Sequence, residues 1–259
     1  MTTHYPVQRS EIVIESSEGG GSHQLRAHLG VPIGVGPWPA VVMVHEAFGV
    51  NDIMQRQIER MTASGYLVIM PDLFTEGGAR KCLTATFRAM VSGEGRAYVD
   101  IDRARQFVRD RSDCTGQVGI LGFCMGGGFA LMMAGRGFDA AAANYGRLPK
   151  NMAETLAGAC PIVGSYGGRD GSLKGAAVRL RTSLSALGVA HDVKEYPSAG
   201  HSFLNDAESG PPLLRPILRR VLGAGPDPVA AADAWGRIES FFARNLSADA
   251  AGDRQNATL

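Results

Sequence analysis

Val118-Gly119-Ile120-Leu121-Gly122-Phe123-Cys124-Met125-Gly126-Gly127-Gly128-Phe129 passes from a short apolar run through a glycine-rich turn into a second apolar run. Residues 118–121 have the length and character of a strand buried on both faces, and the residues after Cys124 suit an apolar helix. The turn between them has the form of the nucleophile elbow G-x-S-x-G, with Cys124 in the serine position. A nucleophile on a sharp strand-to-helix turn needs neighbours without side chains, so that strand and helix can approach each other. Gly122 and Gly126 meet that need, and the N–H of Met125, at the start of the helix, is placed to meet a developing oxyanion. A glycine-flanked cysteine also suits a buried core position, because free cysteine is among the most buried residue types. The rest of the chain decides between the two.

An elbow nucleophile requires an acid and then a histidine, in that order, on loops at the same edge of the sheet. Asp170 follows the apolar run 162–166, and His201 follows the run 192–196. Asp170 alone would suit a helix N-cap before Leu173, and His201 alone an ordinary loop histidine. Three such residues in order, each just beyond a strand, point to a Cys124-Asp170-His201 triad. Upstream, residues 40–44 lead into His45-Glu46-Ala47-Phe48-Gly49-Val50-Asn51. The loop in this place supplies the second oxyanion donor in hydrolases of this architecture, which makes the Ala47 N–H the candidate. Glu46 is the unusual residue there, since a carboxylate in a hydrolase site can take a thiol proton or hold a cation. An exposed loop glutamate is the alternative.

Continuous apolar runs at 40–44, 66–70, 118–121, 140–144 and 162–166 alternate with helical patterns at 53–64, 98–109 and 234–242. A further helix is predicted over 173–187, where Leu173, Ala177, Leu180, Leu184 and Leu187 share one face and Gly188 ends it. Strand and helix repeated in this way build an α/β fold, a mostly parallel central sheet covered by helices on both faces. Two extended runs, 12–14 and 25–31, flank a Gly-Gly-Gly-Ser turn and predict an antiparallel hairpin at the sheet's N-terminal edge. One domain over residues 1–247 and a disordered tail over 248–259 are expected.

Composition restricts the partners. Lys and Arg total 26 against 25 Asp and Glu, so no charge excess favours nucleic acid. The four cysteines show no CxxC or CxxH spacing, which argues against a zinc site and a disulfide framework. No signal-peptide core begins the chain, and no apolar run approaches the roughly 18 residues of a membrane span. The expected setting is the cytoplasm, with a small-molecule ester or lactone as partner, no metal or organic cofactor, and a monomer or small homo-oligomer.

These motifs together, H-E-A-F-G-V-N, P-D-L-F, G-F-C-M-G-G, the Asp170 loop and A-G-H-S-F, resemble the dienelactone hydrolase (carboxymethylenebutenolidase) family across residues 11–242. The resemblance implies the α/β-hydrolase fold, the triad Cys124, Asp170 and His201, an oxyanion hole of Ala47 and Met125, and Glu46 as the glutamate that helps ionise the thiol. Phe48 and Asn205 fall at substrate-binding positions. Members that cleave dienelactone carry an arginine four residues after the histidine; Asn205 stands there in this chain, and the charge-assisted contact is lost. Their second arginine and their tyrosine, after P-D-L-F, lack a clear counterpart, although Arg80 and Arg88 lie in that region. The segment after His201, with Pro211-Pro212-Leu213-Leu214-Arg215, offers a lid. The expected chemistry is attack by the Cys124 thiolate, ionised by Glu46 or His201, to give a thioester that His201 then hydrolyses with water. A thiolate is readily expelled from a tetrahedral intermediate, so the substrates should have good leaving groups, as enol lactones, aryl esters and thioesters do. A catalytically idle protein that binds a lactone in the same pocket is the alternative.

Overall fold

The structure, a computed structural model, describes residues 4–15 and 19–247. The tail expected at 248–259 lies outside them. One sheet has the strand order β1-β2-β4-β3-β5-β6-β7-β8. β1 (Val7–Glu15) and β2 (Gln24–Pro32) form the expected hairpin, and β2 pairs antiparallel with β4 (Leu67–Pro71). β3 (Trp38–Val44), β5 (Cys114–Phe123), β6 (Ala140–Asn144), β7 (Ile162–Gly167) and β8 (His191–Tyr196) continue the sheet, parallel to β4 and to one another. Every apolar run predicted as a strand falls on one, although the run 66–70 begins one residue ahead of β4.

β3 pairs with both β4 and β5, so after β4 the chain returns across β3 to extend the sheet the other way. Such a reversal leaves a crevice at the carboxyl ends of the strands, where ligands bind in open α/β sheets. The loops after β3 and β5 meet at this crevice, and they carry Glu46 and Cys124.

The helices are α1 (Asp52–Ala63), α2 (Ala79–Ser92), α3 (Arg96–Arg109), α4 (Met125–Met133), α5 (Met152–Thr155), α6 (Ala176–Ala186), α7 (Arg215–Leu222) and α8 (Pro228–Asn245). Side chains alternate along a strand, which assigns the helices to faces. On β5, a Cβ at Gly119 would meet Phe242 and Leu246 of α8, and the Phe123 ring lies 6.0 Å from Trp235 of the same helix. Gly122, between them in phase, faces α4 instead. On β7, Gly164 meets Leu180 of α6, while the Ser165 hydroxyl accepts from Arg237 of α8. α1 joins α8, with Arg60 bonded to Glu239 and lying 4.7 Å over the Trp235 ring. Helices therefore cover both faces.

The helix predicted over 173–187 is shorter than its apolar spacing suggests. Leu173 ends a separate single turn, Gly171–Leu173, and α6 begins only after Gly175, whose φ of +67° interrupts the helical path. The far end agrees with expectation, with Gly188 also in the left-handed region just beyond the helix.

Candidate active site

Cys124 joins β5 to α4 with φ 54° and ψ −112°, a conformation that costs a residue with a side chain on the order of 1–3 kcal/mol. The surroundings hold it there. Its N–H donates to Asn144 O at 3.1 Å, and its carbonyl accepts from Gly128 N at 3.1 Å. The glycines of the motif are required by contact distance. A Cβ on Gly122 would lie 1.9 Å from Gly126 O, and one on Gly126 would lie 2.0 Å from Val44 O. Both obstacles are backbone and cannot rotate away. Gly126→Ala is accordingly expected to lose about 3 kcal/mol or more of stability or to fail to fold, read as the urea midpoint. Gly236→Ala is the control: it lies inside α8 with nothing within 4 Å of the added carbon, and should gain up to about 1 kcal/mol. Equal midpoints for the two variants would contradict the packing argument.

Asp170 is buried and divides its carboxylate between two tasks. Oδ1 accepts from Ser172 N at 3.0 Å and Ser172 Oγ at 2.6 Å, capping the Gly171–Leu173 turn, while Oδ2 meets His201 Nδ1 at 2.5 Å. The capping and triad readings of Asp170 are thus compatible. The other ring nitrogen of His201, Nε2, is buried without a partner in hydrogen-bond geometry, and the charge acting most strongly on the ring is that of Cys124. Burial alone would push the His201 pKa down; the negative charge of Cys124 and the contacts with Asp170 overcome it and raise the value to about 10. Burial likewise opposes ionisation of Asp170, but His201 and Ser172 hold its pKa below the ordinary value. The geometry brings Cys124, His201 and Asp170 to one place, with Asp170 bonded to His201 and with Cys124 and His201 lining the same cavities.

Glu46 is also buried, and both of its oxygens are engaged. Asn205 Nδ2 donates to Oε1 at 2.9 Å and Ser209 Oγ donates to Oε2 at 2.7 Å. Asn205 therefore sits behind Glu46 and holds it, rather than lining the cavity. Phe48 does line that cavity, about 170 Å³ in volume, together with Glu46, Ala47, Cys124 and His201. Met125 lines a larger cleft on the other side of Cys124, and its N–H is the first of α4, where no intrahelical acceptor is available.

The sequence reading passed over several residues. His45 is buried, accepts Leu73 N–H at Nε2 at 3.1 Å, and so donates from Nδ1 to Glu46 O at 2.7 Å. Burial lowers its pKa and keeps it neutral. Gly49 N also donates to Glu46 O, at 3.1 Å, and because the peptide is planar and trans the Ala47 N–H is turned the opposite way. His45 thereby fixes the peptide that carries this oxyanion candidate. Its place beside Glu46 in the motif was the available signal. Tyr145 follows β6 at φ +39°, and its ring lies 5.0 Å from that of His201. Its hydroxyl reaches Asn205 Oδ1 at 3.5 Å, and burial followed by the charges of Glu46 and Cys124 pushes its pKa well above the ordinary value.

The segment read as a lid forms one wall of the small cavity. Leu218 and Leu222 of α7 line the small cavity, and Leu222 O accepts His201 N–H at 3.0 Å while Gly225 N donates to His201 O at 3.1 Å. Swinging α7 away would break the first of these bonds and disturb the backbone of His201. Among the described residues, no group of three or more His, Cys, Asp or Glu is placed to hold a metal ion. No helix among them is long and apolar enough to cross a membrane.

Comparison with known proteins agrees with the geometry. The model of the dienelactone hydrolase family matches residues 25–246. The carboxymethylenebutenolidase of Pseudomonas putida is 28% identical over 210 residues, which cover 77% of this chain and 87% of that protein. A Methylorubrum extorquens relative is 30% identical over 235 residues, covering 83% of this chain and 75% of its own length. The crystal structure of a dienelactone hydrolase from Anabaena variabilis superposes with a TM-score of 0.67 at 18% identity, covering 93% of this chain and 99% of that one. At that identity the superposition speaks for the α/β-hydrolase fold alone. With a family match spanning most of its length and the elbow, acid and histidine at the expected strand ends, this chain belongs to the dienelactone hydrolase family and is a hydrolase of the ester or lactone type.

Proposed function

We propose that the protein hydrolyses an activated ester or enol lactone through Cys124, by way of a thioester acyl-enzyme. The observation that carries this reading is His201, bonded to Asp170 through Nδ1 while its buried Nε2 is left to Cys124. His201 takes the thiol proton through Nε2, while Glu46 is held in place by hydrogen bonds from Asn205 and Ser209. The thiolate adds to the carbonyl carbon, and the carbonyl oxygen becomes an oxyanion met by the N–H groups of Ala47 and Met125. Collapse breaks the carbon–oxygen bond, and the His201 proton passes to the departing oxygen. Water, deprotonated by His201, then attacks the thioester, and the acid is released with the cysteine restored.

Enol and aryl leaving groups suit this sequence, because a thiolate otherwise departs before an alkoxide does. Glu46, Phe48 and the α7 side chains form a compact pocket on one side of the thiol, with room for a small leaving group. Acid-quenched mass spectrometry during turnover of an aryl ester is expected to find the acyl group on the peptide containing Cys124. Turnover with the acyl group absent from that peptide would refute the covalent route. Saturable binding of ester without turnover would favour the idle binding protein.

A further inference from the structure

Cys124 and His201 line a second, larger space on the side away from Glu46, about 730 Å³ in volume. Its walls divide by chemistry. Phe87, Met90, Leu148, Met152 and Leu173 supply an apolar floor, and the charged residues besides His201 are Arg147, Lys150 and Arg179, all cations. Arg147 and Lys150 follow β6 and Arg179 lies on α6, so three separate chain positions converge on one cleft. No carboxylate lines it. Glu154 of α5 borders the adjoining cavity instead, where it accepts from Asn151.

None of the three charged side chains has a hydrogen-bond or ion-pair partner among the described residues. The small cavity beyond Cys124 has the opposite character, with Glu46 and Glu208 alongside Arg215. The chain as a whole carries a formal charge of only +1, so the cleft's positive field is a local arrangement. A pocket lined by one sign of charge with low-dielectric walls concentrates ligands of the other sign. The apolar side chains that share the cleft with the thiol and the cations suit a hydrocarbon linker.

We propose that this basic cleft binds the anionic end of the substrate, so that the preferred ester carries a carboxylate separated from the scissile carbonyl by an apolar chain. Arg147, Lys150 and Arg179 are then specificity-determining residues. The inference rests on Cys124 being the nucleophile beside the cleft. All three cations are exposed. Their effect is therefore screened by salt.

The test compares mono-p-nitrophenyl suberate with its neutral methyl ester, which has the same leaving group and the same chain. The wild-type protein is expected to favour the anionic ester in kcat/KM on the order of tenfold at low ionic strength, with the ratio shrinking as salt rises. In the triple variant Arg147→Gln, Lys150→Gln, Arg179→Gln the ratio should fall to about one. Equal use of both esters by the wild type, or a ratio unchanged in the variant, would overturn the proposal. Calorimetry of suberate binding to Cys124→Ala separates the two layers of the argument. Suberate binding to Cys124→Ala that disappears when the three cations are also replaced, together with no ester turnover by the wild type, supports the cleft and removes the hydrolase mechanism. Ester turnover with no anionic preference removes the cleft and leaves the mechanism standing.

Discussion

Replacing Cys124 by alanine is expected to lower ester hydrolysis by about 10⁴-fold or more, the scale on which single nucleophile deletions act in triad enzymes. The reason is that Cys124 is the nucleophile in the proposed mechanism, while Glu46 is tied by Asn205 and Ser209 and His201 is bonded to Asp170. Stability should move independently of activity. Cys124 is held at φ 54° and ψ −112°, and alanine keeps the Cβ that makes this conformation costly, so Cys124→Ala should unfold close to the wild-type midpoint. Glycine removes the Cβ, and Cys124→Gly is expected to be as inactive as the alanine variant yet more stable by about 1 kcal/mol. Urea titrations beside p-nitrophenyl acetate kinetics read both quantities. A glycine variant less stable than the alanine variant would mean that the elbow is not strained. A rate within tenfold of the wild type in either variant would remove Cys124 from the chemistry.

Much of this fold was legible because the core strands are apolar on both sides, and five continuous runs gave five parallel strands. The misses have physical causes. α2 buries only Cys82, Thr86 and Met90, a narrow stripe that includes a hydroxyl, and glycine occupies its N-cap position. A hydrophobic pattern that thin does not stand out. α7 buries no residue fully, and its Ile217 and Val221 remain exposed, so amphipathicity there reports the wall of a cavity rather than a core. In the predicted helix over 173–187 the spacing of apolar residues continued through Gly175 although the backbone did not. Periodicity records which side chains are buried, and Leu173 is buried from its own short turn.

At the site, the residues that follow strand ends could be found from order alone, since the loop after each parallel strand opens on the same crevice. Glu46, Cys124, Asp170 and His201 all lie there. Ser209 and the α7 contacts could not be found in this way. They come from the longer segment after His201, and their roles depend on how that segment folds back against Glu46 and the His201 backbone. Asn205 shows the same limit. Its position suggested contact with substrate, whereas its amide reaches Glu46 and the Ser209 hydroxyl, at 2.9 Å and 2.6 Å. A neutral pair of donors thus holds the carboxylate.

Asp170→Asn is expected to lower kcat by about 10³–10⁴-fold while leaving the fold in place, a magnitude typical of triad acids changed to amides. The asparagine oxygen can still accept from Ser172 N and Oγ, which preserves the cap of the Gly171–Leu173 turn. Its amide nitrogen would then face His201 Nδ1, where Asp170 Oδ2 now lies at 2.5 Å. A donor in that place requires Nδ1 to accept, which moves the ring proton to Nε2, the atom that takes the Cys124 proton in the proposed mechanism. The pH dependence separates this account from a simple loss of packing. In the wild type, the Cys124 charge and Asp170 hold the His201 pKa at about 10 against the effect of burial, so the protonated ring that delivers a proton to the leaving group persists to high pH. The alkaline limb of kcat/KM for an alkyl thioester should have its midpoint near that value, and Asp170→Asn should displace it downward. On the acid side, the lowered pKa of Asp170 stabilises the wild type above the unfolded value of 3.8, and this contribution disappears as pH falls through the folded value. The asparagine variant lacks that acid-labile contribution, so its stability should depend less on pH in this range. An unshifted alkaline limb, with the same loss of rate, would show that Asp170 positions the histidine without setting its proton.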